Sequence, residues 1–132
     1  MIVVDASAVL EVLLRTPLAE TLSQRIFDRR ETLHAPHLLD LEVAQVLRRY
    51  CAMGELSSER GLEAMDDLGD LPVTRYAHDP FLKRIWELRS NVTAYDAVYL
   101  ALAETLDAPL VTCDRALASS PGHKAQVELV SM

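Results

Sequence analysis

One run of apolar residues, between positions 94 and 103, constrains the fold of this chain more than any other stretch. The run is rich in Ala and Leu, contains neither Gly nor Pro, and carries a single carboxylate, that of Asp96. Because Ala and Leu favour helices, it predicts a buried helix rather than a strand. A carboxylate in the first turn is stabilised by the helix dipole, whereas burying it unpaired is costly. Asp96 is therefore either a helix cap or part of a site.

Three further acids occupy comparable positions. Asp5 follows a β-branched run at 2–4, and Asp114 follows a similar apolar run at 110–113, so each lies at the end of a predicted strand. The carboxyl ends of strands in an open α/β sheet are where ligands bind. Glu42 lies on a helix predicted from about residue 38, where it is either a surface glutamate or turned towards a site. Asp114 also fits a helix cap, but four converging acids would require a cation.

Short apolar segments alternate with helical patterns along the chain. Strands are predicted at 2–4, 71–76, 110–113 and 127–130, and residues 34–36 are predicted to form either a minimal strand or a turn. The intervening stretches carry the three- and four-residue spacing of helices, and two of these helices form a hairpin over about 38–70. Alternating strands and helices imply a parallel sheet with right-handed crossovers. We therefore predict one domain over residues 1–132, a three-layer α/β/α fold around a central, mainly parallel, short-stranded sheet.

Charge and length argue against several classes of protein. Thirteen basic and 20 acidic residues give a net charge of −7, which disfavours binding nucleic acid by overall positive charge. A local basic patch or a bound metal can still reverse the field near a site. No apolar run approaches the roughly 20 residues that span a bilayer, and the first residues lack the features of a signal peptide. We therefore expect no membrane association.

The two cysteines, Cys51 and Cys113, lack the spacing of metal ligands. They suggest reduced thiols in a cytoplasmic protein, although a disulfide between them stays open.

Two surface and core assignments follow from the helical patterns. Arg25, Arg29 and Arg30 lie near the end of the second predicted helix, where they are either a solvated basic end or a patch for an RNA backbone.

Asp79-Pro80 is a strong helix start. In the helix that follows, Leu82, Ile85 and Trp86 are predicted to point inward, with Trp86 as a core anchor.

Taken together, these acids and their neighbours resemble the PIN-domain ribonucleases and, within them, the VapC-type toxins of bacterial toxin–antitoxin pairs. The resemblance rests on Val-Val-Asp-Ala-Ser at 3–7, Leu-Glu-Val-Ala at 41–44, Thr-Ala-Tyr-Asp-Ala at 93–97 and Val-Thr-Cys-Asp at 111–114. Each piece alone is weak. Their order and spacing on a chain of this size are specific, and they cover nearly the whole sequence.

The resemblance implies a catalytic site for Mg²⁺ or Mn²⁺ made of four acids, namely Asp5, Glu42, Asp96 and Asp114. It also implies supporting hydroxyls at Ser7 and Thr112, with Asn91 a weaker candidate at the same rim. The implied activity is a metal-dependent endoribonuclease that leaves 5′-phosphate and 3′-hydroxyl ends and inhibits translation. In such a site the cation lets the carboxylates ionise and acidifies a bound water.

The same resemblance implies protein partners. A toxin needs a VapB-type antitoxin that covers its site, for which the hairpin at about 38–70 is the candidate contact, with an antitoxin Arg pairing with the acids. The family commonly forms homodimers, so we expect one here.

Other classes of protein fit less well. A phosphoacceptor receiver module needs an acidic pair after the first strand and a Lys on a late strand, but Asp5 is followed by Ala6-Ser7 and Lys124 lies in a predicted turn. A haloacid-dehalogenase-like phosphatase needs Asp-x-Asp, and position 7 is Ser. A non-catalytic RNA-binding module of the same fold remains the main alternative.

Overall fold

The computed structural model describes residues 1–132 and contains five strands and seven α-helices. The strands are β1 (Ile2–Val4), β2 (Leu33–Pro36), β3 (Val73–Tyr76), β4 (Leu110–Thr112) and β5 (Val127–Leu129). The helices are α1 (Ala6–Leu13), α2 (Ala19–Ile26), α3 (Leu38–Ala52), α4 (Ser58–Asp70), α5 (Leu82–Glu87), α6 (Ala94–Leu106) and α7 (Arg115–Ala118). None of the seven helices combines the length and the apolar composition that crossing a bilayer requires.

The five strands form one sheet in the order β3-β2-β1-β4-β5, and every neighbouring pair is parallel. On the central strand β1, Val3 is in register with His34 of β2 on one side and Leu110 of β4 on the other. The sheet is thus parallel throughout rather than mainly so. The predicted α/β class is confirmed.

Helices cover both faces of the sheet, which explains why β1 is apolar at every position. Ile2 and Val4 pack against α1, α2, α3 and α4 on one face. Val3 points the other way, into a second cluster formed mainly by α6. Alternating side chains of one strand therefore serve two separate cores, as the pleat of a strand dictates. The result is the predicted three-layer arrangement.

The strand order reverses at the centre of the sheet. After β1 the chain moves outward through β2 and β3, then returns to place β4 on the other side of β1. Adjacent strands whose connections leave in opposite directions open a crevice at their carboxyl ends. Asp5 follows β1 directly and Asp114 comes two residues after β4, so both lie at this crevice.

The region around α5 differs from the sequence prediction. Residues Asp79–Phe81 form a 3₁₀ turn before the six-residue α5. Phe81 and Leu88 are buried in this segment, whereas Trp86 is 66% exposed and Leu82 is 60% exposed. The predicted inward positions of Leu82 and of Trp86 as a core anchor are therefore wrong, whereas Ile85 is partly buried against the second core cluster as predicted.

Instead of packing in the core, the indole ring of Trp86 lies against the guanidinium of Arg89, whose central carbon is 4.5 Å from the ring centroid. A cation over an aromatic face is a stable arrangement at an exposed position.

Candidate active site at the sheet switch point

Asp5 is the most buried of the four predicted acids, with 5% of its surface exposed. Its Oδ1 accepts hydrogen bonds from the Ser7 hydroxyl at 2.7 Å and from the backbone N–H of Ala8 at 3.1 Å. The Thr112 hydroxyl donates a short hydrogen bond to Oδ2. Asp5 also serves as the N-cap of α1. A carboxylate held by three donors is fixed in orientation before any ligand arrives.

The hydroxyls of Ser7 and Thr112 form a small network around Asp5. Ser7 Oγ accepts from the N–H of Cys113 at 2.9 Å, and Thr112 Oγ1 accepts from the N–H of Asp114 at 3.0 Å. Each hydroxyl has one hydrogen, and in this arrangement both hydrogens point to Asp5. The network thus ties the start of α1 to the end of β4.

Asp96 and Asp114 both lie at the start of a helix, but only Asp114 is the N-cap of its helix. Thr93 is the N-cap of α6, because its hydroxyl accepts from the N–H of Asp96 at 3.2 Å. The cap interpretation of Asp96 is therefore wrong, and its carboxylate is free for another role. Asp114 does cap α7 through Oδ1, which accepts from the N–H groups of Ala116 and Leu117. Its Oδ2 is left available.

Glu42 reaches the same region from the middle of α3. Its Oε1 accepts a hydrogen bond from the hydroxyl of Tyr99 on α6 at 2.7 Å. Tyr99 is buried, with 2% of its surface exposed. The sequence analysis did not single out Tyr99. The available signal was a phenol three residues after Asp96 in an otherwise apolar buried helix, because a buried tyrosine hydroxyl usually requires a partner.

Burial and neighbouring charges raise the pKa values of three of the four acids. Burial raises the pKa of Asp5, and the charge of Asp114 adds to the effect. Burial likewise raises the pKa of Glu42, followed by the charges of Asp5 and Asp96. The pKa of Asp96 is raised by burial and then by Asp114. The charges that act on these three groups come from the other predicted acids, so each of the four lies within electrostatic range of at least two of the others.

The donor chemistry of this cluster fits a hard divalent cation. Carboxylates and hydroxyls offer only oxygen, which Mg²⁺ and Mn²⁺ prefer. Oδ2 of Asp114, Oε2 of Glu42 and both carboxylate oxygens of Asp96 accept no hydrogen bond from the protein. No three Asp, Glu, His or Cys side chains stand close enough together to hold one ion by themselves. Mg²⁺ commonly uses one or two carboxylates and retains several waters, so the cluster suits it in that form.

Asn91 lies apart from this hydrogen-bond network. Its side chain is exposed and packs against Gly122, which has a φ of +92°. The Asn91 amide donates no hydrogen bond to any of the four acids. Its role at the rim stays a prediction.

The basic residues at the end of α2 are largely paired. Arg25 forms ion pairs with Glu31 and Glu128, each at 2.9 Å. Arg30 pairs with Asp28 at 2.9 Å, beyond the end of α2 at Ile26. The structure therefore favours the solvated basic end over a patch for an RNA backbone.

A groove of about 650 Å³ opens between α1 and α3 beside the acids. Ser7 and Glu42 belong to its lining, which makes the groove continuous with the acid cluster. Most of the remaining lining is apolar or aromatic and includes the exposed side chains of Leu41 and Tyr95. Cys113 also lines it as a free thiol, and burial raises the pKa of that thiol to about 11. The thiol is consequently protonated and unreactive at neutral pH.

Comparison with known proteins decides the family. The PIN domain family model matches residues 2–122. Ribonuclease VapC12 of Mycobacterium tuberculosis is 44% identical over 131 residues, which cover 99% of this chain and 100% of that relative. The chain is a VapC-family PIN-domain protein. The resemblance seen in the sequence is confirmed over nearly its full length.

Solved structures extend the comparison of the VapC fold. PAE2754 from Pyrobaculum aerophilum superposes with a TM-score of 0.70 at 25% identity, covering 96% of this chain and 81% of that one. VapBC2 from Rickettsia felis, bound to a DNA fragment from its promoter, gives a TM-score of 0.70 at 12% identity and covers 98% of both chains. At such low identity the second similarity shows the fold alone.

Proposed function

We propose that this VapC-family protein is a Mg²⁺- or Mn²⁺-dependent endoribonuclease that acts as the toxin of a toxin–antitoxin pair. Two contacts at the switch point of the sheet carry the proposal: Thr112 bonds to both Asp5 and the N–H of Asp114, and Tyr99 joins Glu42 to α6, the helix of Asp96. Similarity over nearly the whole chain to proteins named ribonucleases supports RNA as the substrate.

In this proposal Asp5, Asp96 and Asp114 hold the cation, directly or through waters, and Glu42 completes the site. When bound, the cation supplies positive charge against the scissile phosphate and acidifies a water molecule. Asp5 is restrained by Ser7 and Thr112, so its orientation costs little further entropy on binding. Both carboxylate oxygens of Asp96 and Oδ2 of Asp114 accept no hydrogen bond from the protein, so they are free to bind the cation or its waters.

In this proposal Glu42 orients the attacking water or accepts its proton. Its carboxylate is half-buried, its pKa is raised, and one of its two oxygens is free of protein donors. A base needs a pKa nearer the working pH than an exposed glutamate has. Attack of water on phosphorus with departure of the 3′ oxygen would leave the 5′-phosphate and 3′-hydroxyl ends that the family resemblance implies. Cleavage of an RNA needed for protein synthesis would inhibit translation and growth.

We also propose a VapB-type antitoxin as partner, seated in the groove between α1 and α3. The groove joins apolar walls to the carboxylates, so it suits a segment that combines apolar side chains with an Arg. The predicted antitoxin contact is the hairpin of α3 and α4. The groove is lined by α3 but by α1 rather than α4. The VapBC2 structure of Rickettsia felis, which has the same fold, is consistent with such a pair. A homodimer remains part of the proposal through the family resemblance.

The test is cleavage of total cellular RNA by antitoxin-free protein with Mg²⁺, Mn²⁺ or EDTA. We expect discrete cuts with either metal, none with EDTA, and none from the Asp96→Asn variant. Asp66→Asn is the matched control, because it makes the same change at an exposed position on α4. Metal-independent cleavage, or full activity of Asp96→Asn, would contradict the mechanism. Folded protein that binds RNA without cutting it would favour the non-catalytic module instead.

A further inference from the structure

The contact between Tyr99 and Glu42 connects the two helices that bring acids to the site. Tyr99 lies three residues after Asp96 on α6, so both side chains project from one face of that helix. Glu42 comes from α3. The hydrogen bond of 2.7 Å between the Tyr99 hydroxyl and Oε1 of Glu42 is the one hydrogen bond that the Glu42 carboxylate accepts from the protein. The same face of α6 therefore supplies one acid and restrains another.

Glu42 needs such a restraint, because the surrounding charges oppose its position. The carboxylates of Asp5 and Asp96 both repel it. A glutamate has three rotatable side-chain bonds, and Glu42 is only partly buried, so it can otherwise turn outward along α3. The phenol ring of Tyr99 is packed among apolar side chains and cannot follow it. The fixed hydroxyl of Tyr99 thus holds the Glu42 carboxylate in place against the repulsion of Asp5 and Asp96.

We propose that Tyr99 is a positioning residue for the proposed ribonuclease reaction: its hydroxyl holds Glu42 over the acid cluster and leaves the second oxygen of Glu42 free for chemistry. The inference rests on the proposed function for its catalytic part. With 2% of its surface exposed, Tyr99 is screened from RNA, so it acts through Glu42 rather than on the substrate.

Kinetics of the Tyr99→Phe variant test the catalytic part. We expect kcat to fall about 10-fold or more, because a hydrogen bond to a charged group is lost, while KM for RNA changes less than about twofold. Tyr76→Phe is the matched control. It removes the hydroxyl of another tyrosine, which lies on β3 and is hydrogen-bonded to His34 at 2.7 Å. We expect this control variant to leave kcat unchanged. An unchanged kcat in Tyr99→Phe, or an effect confined to KM, overturns the inference.

A second measurement needs neither metal nor activity. The thermal midpoint in EDTA is compared for wild type, Tyr99→Phe, Glu42→Ala and the double variant. We expect Tyr99→Phe to lower the midpoint in the wild-type background and to have no effect, or to raise it, in the Glu42→Ala background, where the buried hydroxyl has lost its acceptor. Equal shifts in both backgrounds overturn the coupling.

The two proposals fail in different ways. Wild-type protein that cleaves no RNA with any metal overturns the proposed function, whatever the melting data show. A cleaving wild type beside a fully active Tyr99→Phe variant overturns the role of Tyr99 alone.

Discussion

Replacing Thr112 with Val is expected to destabilise the protein through the loss of a single oxygen. The substitution keeps the shape of the side chain almost unchanged. Thr112 is fully buried, its hydroxyl donates to Asp5, and the same oxygen accepts from the N–H of Asp114 at 3.0 Å. Thr112→Val therefore leaves a side-chain oxygen of Asp5 and the backbone N–H of Asp114 each without this partner.

The size of the effect follows from the two bonds. A hydrogen bond to a charged group contributes about 1.5–3 kcal/mol and an ordinary one about 0.5–1.5 kcal/mol, so the loss is about 2–4.5 kcal/mol. Unfolding entropy near 2.1 cal/mol/K per residue gives roughly 0.28 kcal/mol/K for a chain of 132 residues. The midpoint of thermal unfolding should fall by about 7–16 °C.

Thermal unfolding in EDTA at pH 7, followed by circular dichroism, measures this shift without interference from metal binding. Thr74→Val is the matched control, because Thr74 is an exposed threonine on β3 and its substitution should move the midpoint by less than about 2 °C. Thr112→Ser keeps the hydroxyl and should retain most of the stability. A Thr112→Val midpoint no lower than that of Thr74→Val would refute the argument that Asp5 depends on this donor.

Three further predictions concern single side chains. Asp96→Asn should raise the thermal midpoint in EDTA while abolishing cleavage, since burial and Asp114 disfavour its charge; a lower midpoint contradicts this. Glu104→Gln should cost about 1 kcal/mol at pH 7, because Glu104 makes two bonds to Arg84 that hold its pKa below 4.5. The contribution of Glu104 is present above its unfolded pKa and is lost as pH falls through its lower folded pKa. The difference in unfolding free energy between Glu104→Gln and wild type should therefore shrink when thermal unfolding is measured at acid pH. Trp86→Ala should cost less than about 1 kcal/mol in a urea titration, against about 3–5 kcal/mol for a buried tryptophan.

The local positions of the acids could be predicted from the sequence because they depend on short-range patterns. The β-branched run before Asp5 and the apolar run before Asp114 are strands, and each acid follows its strand as predicted. Parallel strands end at one edge of the sheet, so proximity of these two acids required only that β1 and β4 be neighbours. The sequence also contains the signal for the Thr93 cap, because a Thr three residues before an acid is typical of a helix start.

The sequence could not predict which faces of separate helices meet. Nothing in the spacing of α3 or α6 specifies that Glu42 meets Tyr99, a contact between residues 57 positions apart. Around α5 the sequence carries two apolar faces, one through Phe81, Ile85 and Leu88 and one through Leu82 and Trp86. Only the packing against α6 decided that the first face is buried and Trp86 is exposed.

Periodicity along the chain thus determined the strands, the helices and the acid at the end of each strand, because these depend on backbone geometry within a few residues. The packing of the helices on the two faces of the sheet decided the rest: how Asp5 is restrained, which residue holds Glu42, and where the groove opens. These contacts join distant parts of the chain, so they exist only once both cores have formed.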